Sequence, residues 1–403
     1  MFKPAALALS LFLGASALAD DEPQWLKDAR ARESQSLKPG EVKSKDGWFK
    51  ASLPGKVVGV IEEVEGSYSV ELDIGTDVNV FCEVYPKGID LANGLRQTLM
   101  NSMKNIEESQ GKLEARALES SDAGAHGAVP YIAMNWIYRV SGEKGALLGG
   151  FKQVVLEKGA SAVYCAHNDI GFAKTFAAIH KAFANSLETR DAAPAPRYTE
   201  IQVATVRGEK IGIAMMTVEI DADGDSKAKE STAMLMVMGK DAVHAQDAVH
   251  VEWVRPDGSL INAASTEVVN NEVATDLGLK LEDGRWLVEG ESGGKPFNAA
   301  LPDDAQPGNS IAHAQQLRVL LAQPDPIGRE HSINVWVDDQ PEKLTATRVK
   351  IVSRQGDRFL ARAEIGEVKA DLTLDKNGMP AVAEMKLGPL DIKLERVYVD
   401  GSF

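Results

Sequence analysis

The feature that most constrains the fold of this chain is a series of tight-turn dipeptides in its C-terminal half. Each of four dipeptides stands between two short runs rich in β-branched and apolar residues: Asp223-Gly224, Asp257-Gly258, Asp283-Gly284 and Asn377-Gly378. Gly, Asp and Asn tolerate the positive φ angles that tight hairpins need, so these dipeptides favour antiparallel pairing of the flanking runs. Residues 198–403 are therefore predicted to form a mostly antiparallel, curved β-sheet domain with one helix over 311–322.

The N-terminal half alternates between two hydrophobic periodicities. Short β-branched and aromatic runs over 48–85 predict a meander of strands, and strands are predicted again over 129–167. A first helix is predicted where apolar residues recur at intervals of three and four, at Leu91, Leu95, Leu99, Met103 and Ile106. A second helix is predicted over 172–187, where the same spacing returns.

These patterns predict an α/β domain over 47–190 and an Ala/Pro linker over 191–197, followed by the β domain over 198–403. The predicted fold class is α+β: an α/β/α-type sandwich with an antiparallel sheet comes first, and the curved β-sheet domain follows it.

The N-terminus has the pattern of a secretory signal peptide over residues 1–19. Lys3 precedes an apolar run, and Ala17-Leu18-Ala19 provides small residues for cleavage. A polar N-terminal arm, mostly extended, is predicted over 20–46. Later apolar runs are far shorter than the roughly 18 residues that a membrane-spanning helix needs. We therefore expect a periplasmic or secreted protein without a transmembrane segment.

Two segments resemble known families. The opening G-W-F-K-A-S-L-P-G at 47–55 and the helix F-A-K-T-F-A-A-I-H-K-A-F-A-N-S-L at 172–187, in their strand and helix order, resemble PsbP-type α/β sandwiches. V-R-G-E-K-I-G-I-A at 206–214, followed by a long hairpin, is similar to the LolA-like family of envelope lipoprotein and lipid carriers. The first resemblance implies an accessory or interaction module, and the second implies a carrier.

Cys82 and Cys165 are the two cysteines of the chain. Each ends a strand before a short loop and a helix, within two halves that resemble each other weakly. An oxidising compartment permits a disulfide between them, and two buried free thiols are the alternative.

A methionine cluster is the candidate ligand-lining surface of the β domain. Alternation places Met234, Met236 and Met238 on one face of a strand, and a turn centred near Gly224 would bring Met216 opposite Met234. Flexible thioethers suit a lipid- or partner-binding face. The alternatives are a filled core and a Cu(I) site.

The acidic turn over Asp221–Asp225 partly matches a calcium loop, but strands flank it, so an exposed turn is favoured.

The sequence contains no familiar catalytic or nucleotide-binding motif, and no catalytic residue, metal site or cofactor is predicted. A formal charge of −15 opposes binding to nucleic acid. The predicted function is that of an exported, non-catalytic envelope protein that binds a lipid or other apolar molecule on the concave face of its β domain. A structural module that docks an envelope protein and an unrecognised hydrolase are the alternatives.

Overall fold

A computed structural model describes residues 23–142, 145–192, 194–238 and 242–402. The predicted signal peptide at 1–19 lies outside these residues. Strands contain 58% of the described residues and four helices contain 14%. The chain is thus mostly β, and the predicted α+β class with an α/β/α-type sandwich is wrong. None of the helices in the described ranges combines the length and the apolar character needed to cross a membrane.

The described chain divides into two compact units. The β unit contains residues 195–234 and 246–402. The mixed unit contains the described residues of 23–194 together with 235–245.

Between residues 23 and 192, the described part of the mixed unit contains three helices and eleven strands. The helices are α1 (Gln24–Arg30), α2 (Leu91–Gln110) and α3 (Ala173–Ser186). The strands are β1 (Pro39–Lys43), β2 (Phe49–Pro54), β3 (Lys56–Val58), β4 (Glu63–Val64), β5 (Ser67–Asp73), β6 (Val80–Tyr85), β7 (Lys112–His126), β8 (Val129–Gly142), β9 (Gly145–Lys158), β10 (Ser161–His167) and β11 (Glu188–Thr189). The segment predicted as an extended arm therefore contains α1 and β1.

These strands form two sheets. One has three strands in the order β1-β2-β11, and the other has the order β3-β5-β6-β10-β9-β8-β7, with β4 paired to β5. Helix α3 contributes Phe176, Ile179 and Phe183 to a core that also contains Leu53 of β2 and Val70 of β5. The apolar stripe that predicted this helix is thus the face that it buries.

Strand β7, which was not predicted, accounts for much of the difference between the predicted and the observed fold class. Its sequence, KLEARALESSDAGAH, is rich in Ala and Glu, which are uncommon in strands, and no strand was predicted there. It nevertheless pairs along its length with β8, with register shifts between Leu113 and Ala115 and between Leu118 and Ser120. Strands β8 and β9 each run for 14 residues. Pairing with a long neighbour therefore outweighs the local propensity of β7.

A disulfide joins Cys82 of β6 to Cys165 of β10. The two residues are direct partners in the antiparallel register, and both side chains are fully buried. The two strands occupy comparable positions before α2 and α3, as the weak internal repeat predicts. Such a pair is compatible with an extracytoplasmic location.

The β unit contains one long sheet and one helix. Helix α4 spans Ser310–Leu321, within one residue of the predicted position. The strands are β12 (Tyr198–Val206), β13 (Glu209–Ile220), β14 (Ser226–Met238), β15 (Ala242–Val254), β16 (Leu260–Val269), β17 (Glu272–Glu282), β18 (Arg285–Ser292), β19 (Lys295–Ala300), β20 (Glu330–Trp336), β21 (Leu344–Gln355), β22 (Arg358–Ile365), β23 (Val368–Leu374), β24 (Pro380–Leu387) and β25 (Leu390–Gly401). Their order in the sheet is β19-β18-β17-β16-β15-β14-β13-β12-β25-β24-β23-β22-β21-β20.

This sheet curves strongly. Strands β15 and β20 are nine positions apart in the sheet order, which would place them about 43 Å apart in a flat sheet. The rings of His250 on β15 and Trp336 on β20 lie 5.8 Å apart. Ser265 Oγ of β16 also donates to Asp338, just after β20, at 2.6 Å. The sheet therefore curves back on itself, and strands that are far apart in the sheet order come together on its concave side.

We predict that the disulfide contributes strongly to the stability of the mixed unit. It closes a loop with a sequence separation of 83 residues, and the loss of its constraint on the unfolded chain should lower the free energy of unfolding by about 2–4 kcal/mol. Chemical denaturation of the Cys82→Ala/Cys165→Ala variant measures this loss. A thiol reductant should destabilise the wild type by a similar amount and leave the variant unchanged; a wild type that is insensitive to full reduction would contradict the prediction.

Candidate functional site

The concave face of the β unit contains a cavity of about 210 Å³. Its walls come from β12–β15 on one side, from β21–β24 on the other, and from α4. Most lining side chains are apolar, among them Ala214, Met215, Met216, Leu317, Val349, Ala363, Ile365, Leu372 and Met385. Because residues from both halves of the sheet contact one small space, the cavity is a direct consequence of the curvature.

Helix α4 is fixed at its N-terminus by a buried carboxylate. Asn309 caps the helix by accepting a hydrogen bond from Ala312 N at 2.8 Å. Glu252 Oε2 of β15 accepts from Ser310 N at 2.8 Å and from Ser310 Oγ at 2.5 Å. The N-terminus of a helix carries partial positive charge, which favours an anion there. These contacts hold the helix across the concave face of the sheet.

The ionised form of Glu252 is favoured although the side chain is buried. Burial opposes ionisation, but hydrogen bonds from His250 and Ser310 outweigh it and hold the pKa of Glu252 below its ordinary value. The distance from His250 Nε2 to Glu252 Oε1 is 3.4 Å. His250 and Ser310 both line the cavity, so the side chains that hold the helix also form part of the wall.

A second polar cluster of the wall centres on Glu200 of β12. Its Oε2 accepts from Tyr198 Oη at 2.5 Å and from Arg396 Nη1 at 3.2 Å, and its Oε1 accepts from Gln202 Nε2 at 2.6 Å. Arg396 also contacts Asp375 Oδ2 at 2.9 Å. Burial raises the pKa of Glu200 despite these partners. Glu200 and Gln202 line the cavity as an ordered polar patch in an apolar wall.

His313 of α4 is the third polar group of interest. Its ring lies 5.0 Å from that of His331 on β20. Burial, and then the neighbouring His331, lower the pKa of His313 to about 4. The imidazole is therefore neutral near pH 7, and it adds no positive charge to the cavity wall.

The structure separates the predicted methionine cluster. Met216 lines the cavity, together with Met215, whereas Met234 and Met236 are not among the lining residues of the described chain. The side chain of Met238 lies outside the described residues. Met216 pairs with Glu230, and Met234 pairs with Gly212. The predicted pairing of Met216 with Met234 is wrong because the hairpin closes between Ile220 and Ser226 and is centred on Asp223, which places Met216 opposite Glu230.

The acidic turn at Asp221–Asp225 is held by its own backbone. Asp221 Oδ1 accepts hydrogen bonds from Asp223 N and Asp225 N, both at 2.9 Å. The residues that partly match a calcium loop therefore form a turn, which the side chain of Asp221 closes. Within the residues that the structure describes, no group of three or more His, Cys, Asp or Glu side chains is arranged to hold a metal ion.

The polar residues of the wall were not predicted from the sequence; among them are Glu200, Gln202, His250 and His313. A signal existed for two pairs, because Glu200 and Gln202 share one face of a strand, as do His250 and Glu252. Polar residues at alternate positions of an otherwise apolar strand indicate a buried polar site or an exposed face, and the sequence does not distinguish the two.

Comparisons with known proteins give little guidance. No family model matches the sequence, and no curated protein matches it significantly. One solved structure that it is similar to is a β-barrel-like protein of domain of unknown function DUF1849 from Brucella abortus, with a TM-score of 0.41 and 13% identity over 53% of this chain and 100% of that chain. Another is a DUF1089 family protein from Pseudomonas aeruginosa, with a TM-score of 0.19 and 14% identity over 47% and 89%. The PsbP-type and LolA-like resemblances gain no support from these comparisons.

We predict that removal of Arg396 destabilises the β unit severely. The side chain is only 13% exposed, and Arg396→Met would leave the buried Glu200 without its cation. Loss of one partner of a buried pair should lower the free energy of unfolding by about 3–5 kcal/mol. Arg362→Met is the matched control, because Arg362 pairs with Asp371 on the exposed surface and its loss should cost less than about 1 kcal/mol. Equal losses in urea denaturation of the two variants would contradict the prediction.

We also predict a pH dependence that depends on His313. Its pKa is about 4 in the folded chain and 6.5 in the reference state. Above pH 6.5 the imidazole is neutral in both states; between pH 6.5 and about 4 the unfolded chain alone takes up the proton, so stability falls as the pH falls. From pH 7 to pH 5, the wild type should lose about 2 kcal/mol more than His313→Leu. Parallel losses in denaturation curves at the two pH values would show that His313 does not resist protonation.

Proposed function

We propose that the β unit binds a small apolar molecule in its cavity, and that the protein acts by binding, without catalysis, as an exported accessory protein of the cell envelope. The observation that carries this proposal is the cavity of about 210 Å³, with its predominantly apolar wall, on the concave face of the sheet. Ligand sites are typically concave and apolar, with a few polar groups that fix orientation.

The volume limits the ligand to a small molecule or to one end of a longer chain. An engineered protein cavity of about 150 Å³, lined by apolar residues, binds benzene with its six carbon atoms. In proportion, a cavity of about 210 Å³ accommodates about eight carbon atoms. A single short acyl or alkyl chain fits this space, whereas a complete phospholipid does not.

The arrangement of the polar groups supports binding over catalysis. The Ser310 hydroxyl donates to the Glu252 carboxylate, so this bond does not pair the hydroxyl with an imidazole base. Both oxygens of Glu200 accept hydrogen bonds from neighbouring side chains. Carboxylates whose oxygens already accept hydrogen bonds from protein side chains help to fix the structure of the cavity wall. They are not positioned to transfer a proton to a ligand.

Two features support the envelope location. The N-terminal signal-peptide pattern implies export, and the buried Cys82–Cys165 disulfide suits an oxidising compartment. In the periplasm, a binding site for a short apolar chain would serve a carrier of small apolar molecules.

We predict that filling the cavity blocks binding. Ala363 of β22 is buried on the wall, and Ala363→Leu should weaken the binding of the probe 1-methoxyheptane by more than tenfold. It should also raise the stability of the ligand-free protein by about 0.5–2 kcal/mol, because a larger side chain fills unoccupied space. Isothermal titration calorimetry and denaturation measure the two effects.

Ala263→Leu is the matched control. Ala263 is buried in the apolar cluster of the β unit and is absent from the cavity lining. Overpacking there should lower stability by about 1–3 kcal/mol and leave probe affinity unchanged. A wild type that does not bind the probe, and whose solvent extract contains no apolar molecule by mass spectrometry, would refute the proposed function.

A further inference from the structure

We infer that the cavity binds an amphiphile whose apolar chain ends in a positively charged ammonium group, and that this group contacts the carboxylate of Glu230. The inference rests on the proposed function, because it specifies the class of ligand that the same cavity takes.

The first step concerns the charged side chains of the wall. The lining residues of the described chain include two carboxylates, Glu200 and Glu230, and no lysine or arginine. Interactions between charges are stronger where water is excluded, so carboxylates in a largely apolar wall favour a cation and repel an anion. The composition of the wall therefore favours a ligand with a positive end group.

The second step places the two carboxylates in one row across the sheet. Glu200 of β12 is the direct partner of Met216 of β13, and Met216 is the direct partner of Glu230 of β14. All three residues line the cavity. Since neighbouring strands are about 4.8 Å apart, the backbones of the two glutamates are about 10 Å apart, with Met216 between them. An end group that rests against Met216 therefore has a carboxylate on either side.

The third step concerns which carboxylate a ligand contacts. Side chains alternate along a strand, and Ala228 in the apolar cluster of the β unit and Thr232 in the cavity wall place Glu230 on the concave face between them. Glu230 is half-buried. Glu200 is only 4% exposed, and both of its oxygens accept hydrogen bonds from protein side chains. Glu230 is therefore the contact group, and Glu200 acts through its charge.

The fourth step concerns the positive groups near the wall. Arg396 contacts the carboxylates of Glu200 and Asp375, at 3.2 and 2.9 Å. His250 lines the cavity beside the buried Glu252, with 3.4 Å between Nε2 and Oε1. Any positive charge on either group is therefore matched by a carboxylate of the protein, and a ligand anion would have to compete for it.

His313 is the other histidine among the described lining residues. Burial and the neighbouring His331 lower its pKa to about 4, so the imidazole carries no charge at pH 7.5. An anionic end group would thus lose its hydration without gaining a cation from the described part of the wall. An ammonium group also loses hydration, but the carboxylate of Glu230 accepts a charge-assisted hydrogen bond from it in return.

The fifth step concerns the test ligands. The cavity has room for about eight carbon atoms, so the probes are octylammonium, 1-octanol and octanoate, whose chains are matched. At pH 7.5 an alkylamine is protonated, as a lysine side chain is, and a carboxylic acid is ionised. The three probes therefore differ mainly in the charge of the end group.

The experiment measures the affinity of the intact protein for the three probes by titration calorimetry at pH 7.5. We expect the wild type to bind octylammonium about tenfold more tightly than 1-octanol, because a hydrogen bond to a charged group is the stronger one. We expect octanoate to bind more weakly than 1-octanol. Glu230→Gln keeps the shape of the side chain and removes its charge, so it should abolish the preference for octylammonium and leave the affinity for 1-octanol unchanged.

Glu384→Gln is the matched control variant. Glu384 lies on β24 between Ala383 and Met385, which line the cavity, and its own side chain is exposed on the other face of the strand. The variant removes the same charge from the chain and should keep the tenfold preference. If Glu230→Gln does not fold, the comparison of the three probes on the wild type decides the inference alone.

The outcomes separate this inference from the proposed function. Equal affinity of the wild type for octylammonium and 1-octanol, or tighter binding of octanoate, would overturn the ammonium assignment and leave apolar binding intact. A preference for octylammonium that persists in folded Glu230→Gln, or that Glu384→Gln also removes, would overturn the assignment of the contact to Glu230. Failure of all three probes to bind would overturn the proposed function, and the inference with it.

Discussion

The constraint on which the β unit depends is the continuous pairing of fourteen strands in a sheet that curves back on itself. Each strand satisfies the backbone hydrogen bonds of its neighbours. The contact between His250 and Trp336 shows that strands nine positions apart in the sheet order approach each other. A concave face of this kind must be filled by side chains, a helix or a ligand. Here α4 fills part of it, and the remaining space is the candidate site.

The anchoring of α4 determines the shape of that space. Because Glu252 binds both the backbone and the hydroxyl of Ser310, the start of the helix is fixed to β15. Leu317 faces the cavity two turns further along, while Ile311 packs in the apolar cluster of the sheet. One buried carboxylate therefore couples the position of the helix to the size of the cavity, since a shift of α4 would move Leu317 within the wall.

Sequence patterns predicted those elements whose information is local. The Asp-Gly and Asn-Gly dipeptides predicted hairpin turns, and apolar residues at intervals of three and four predicted α2 and α3. The similar positions of Cys82 and Cys165, each before a helix, suggested that the two cysteines are paired. Strand β7 was missed because its composition favours a helix and only its long partner β8 makes it a strand. The predicted Met216 register was wrong because the partner of every residue in a hairpin depends on the exact centre of the turn, which here is Asp223.

The polar wall could not be predicted because its contacts are distant in sequence. Glu200 and Arg396 are 196 residues apart, and β12 and β25 become neighbours only when the sheet forms. Without that pairing, Glu200 and Gln202 look like the polar face of an exposed strand. With it, the Glu200 oxygens and the Gln202 nitrogen bond to other protein groups, and Gln202 Oε1 alone among these atoms has no partner in the described chain. The polar part of the cavity wall thus follows from strand pairing across the whole β unit, since that pairing brings the side chains that bind Glu200 within hydrogen-bond distance of it.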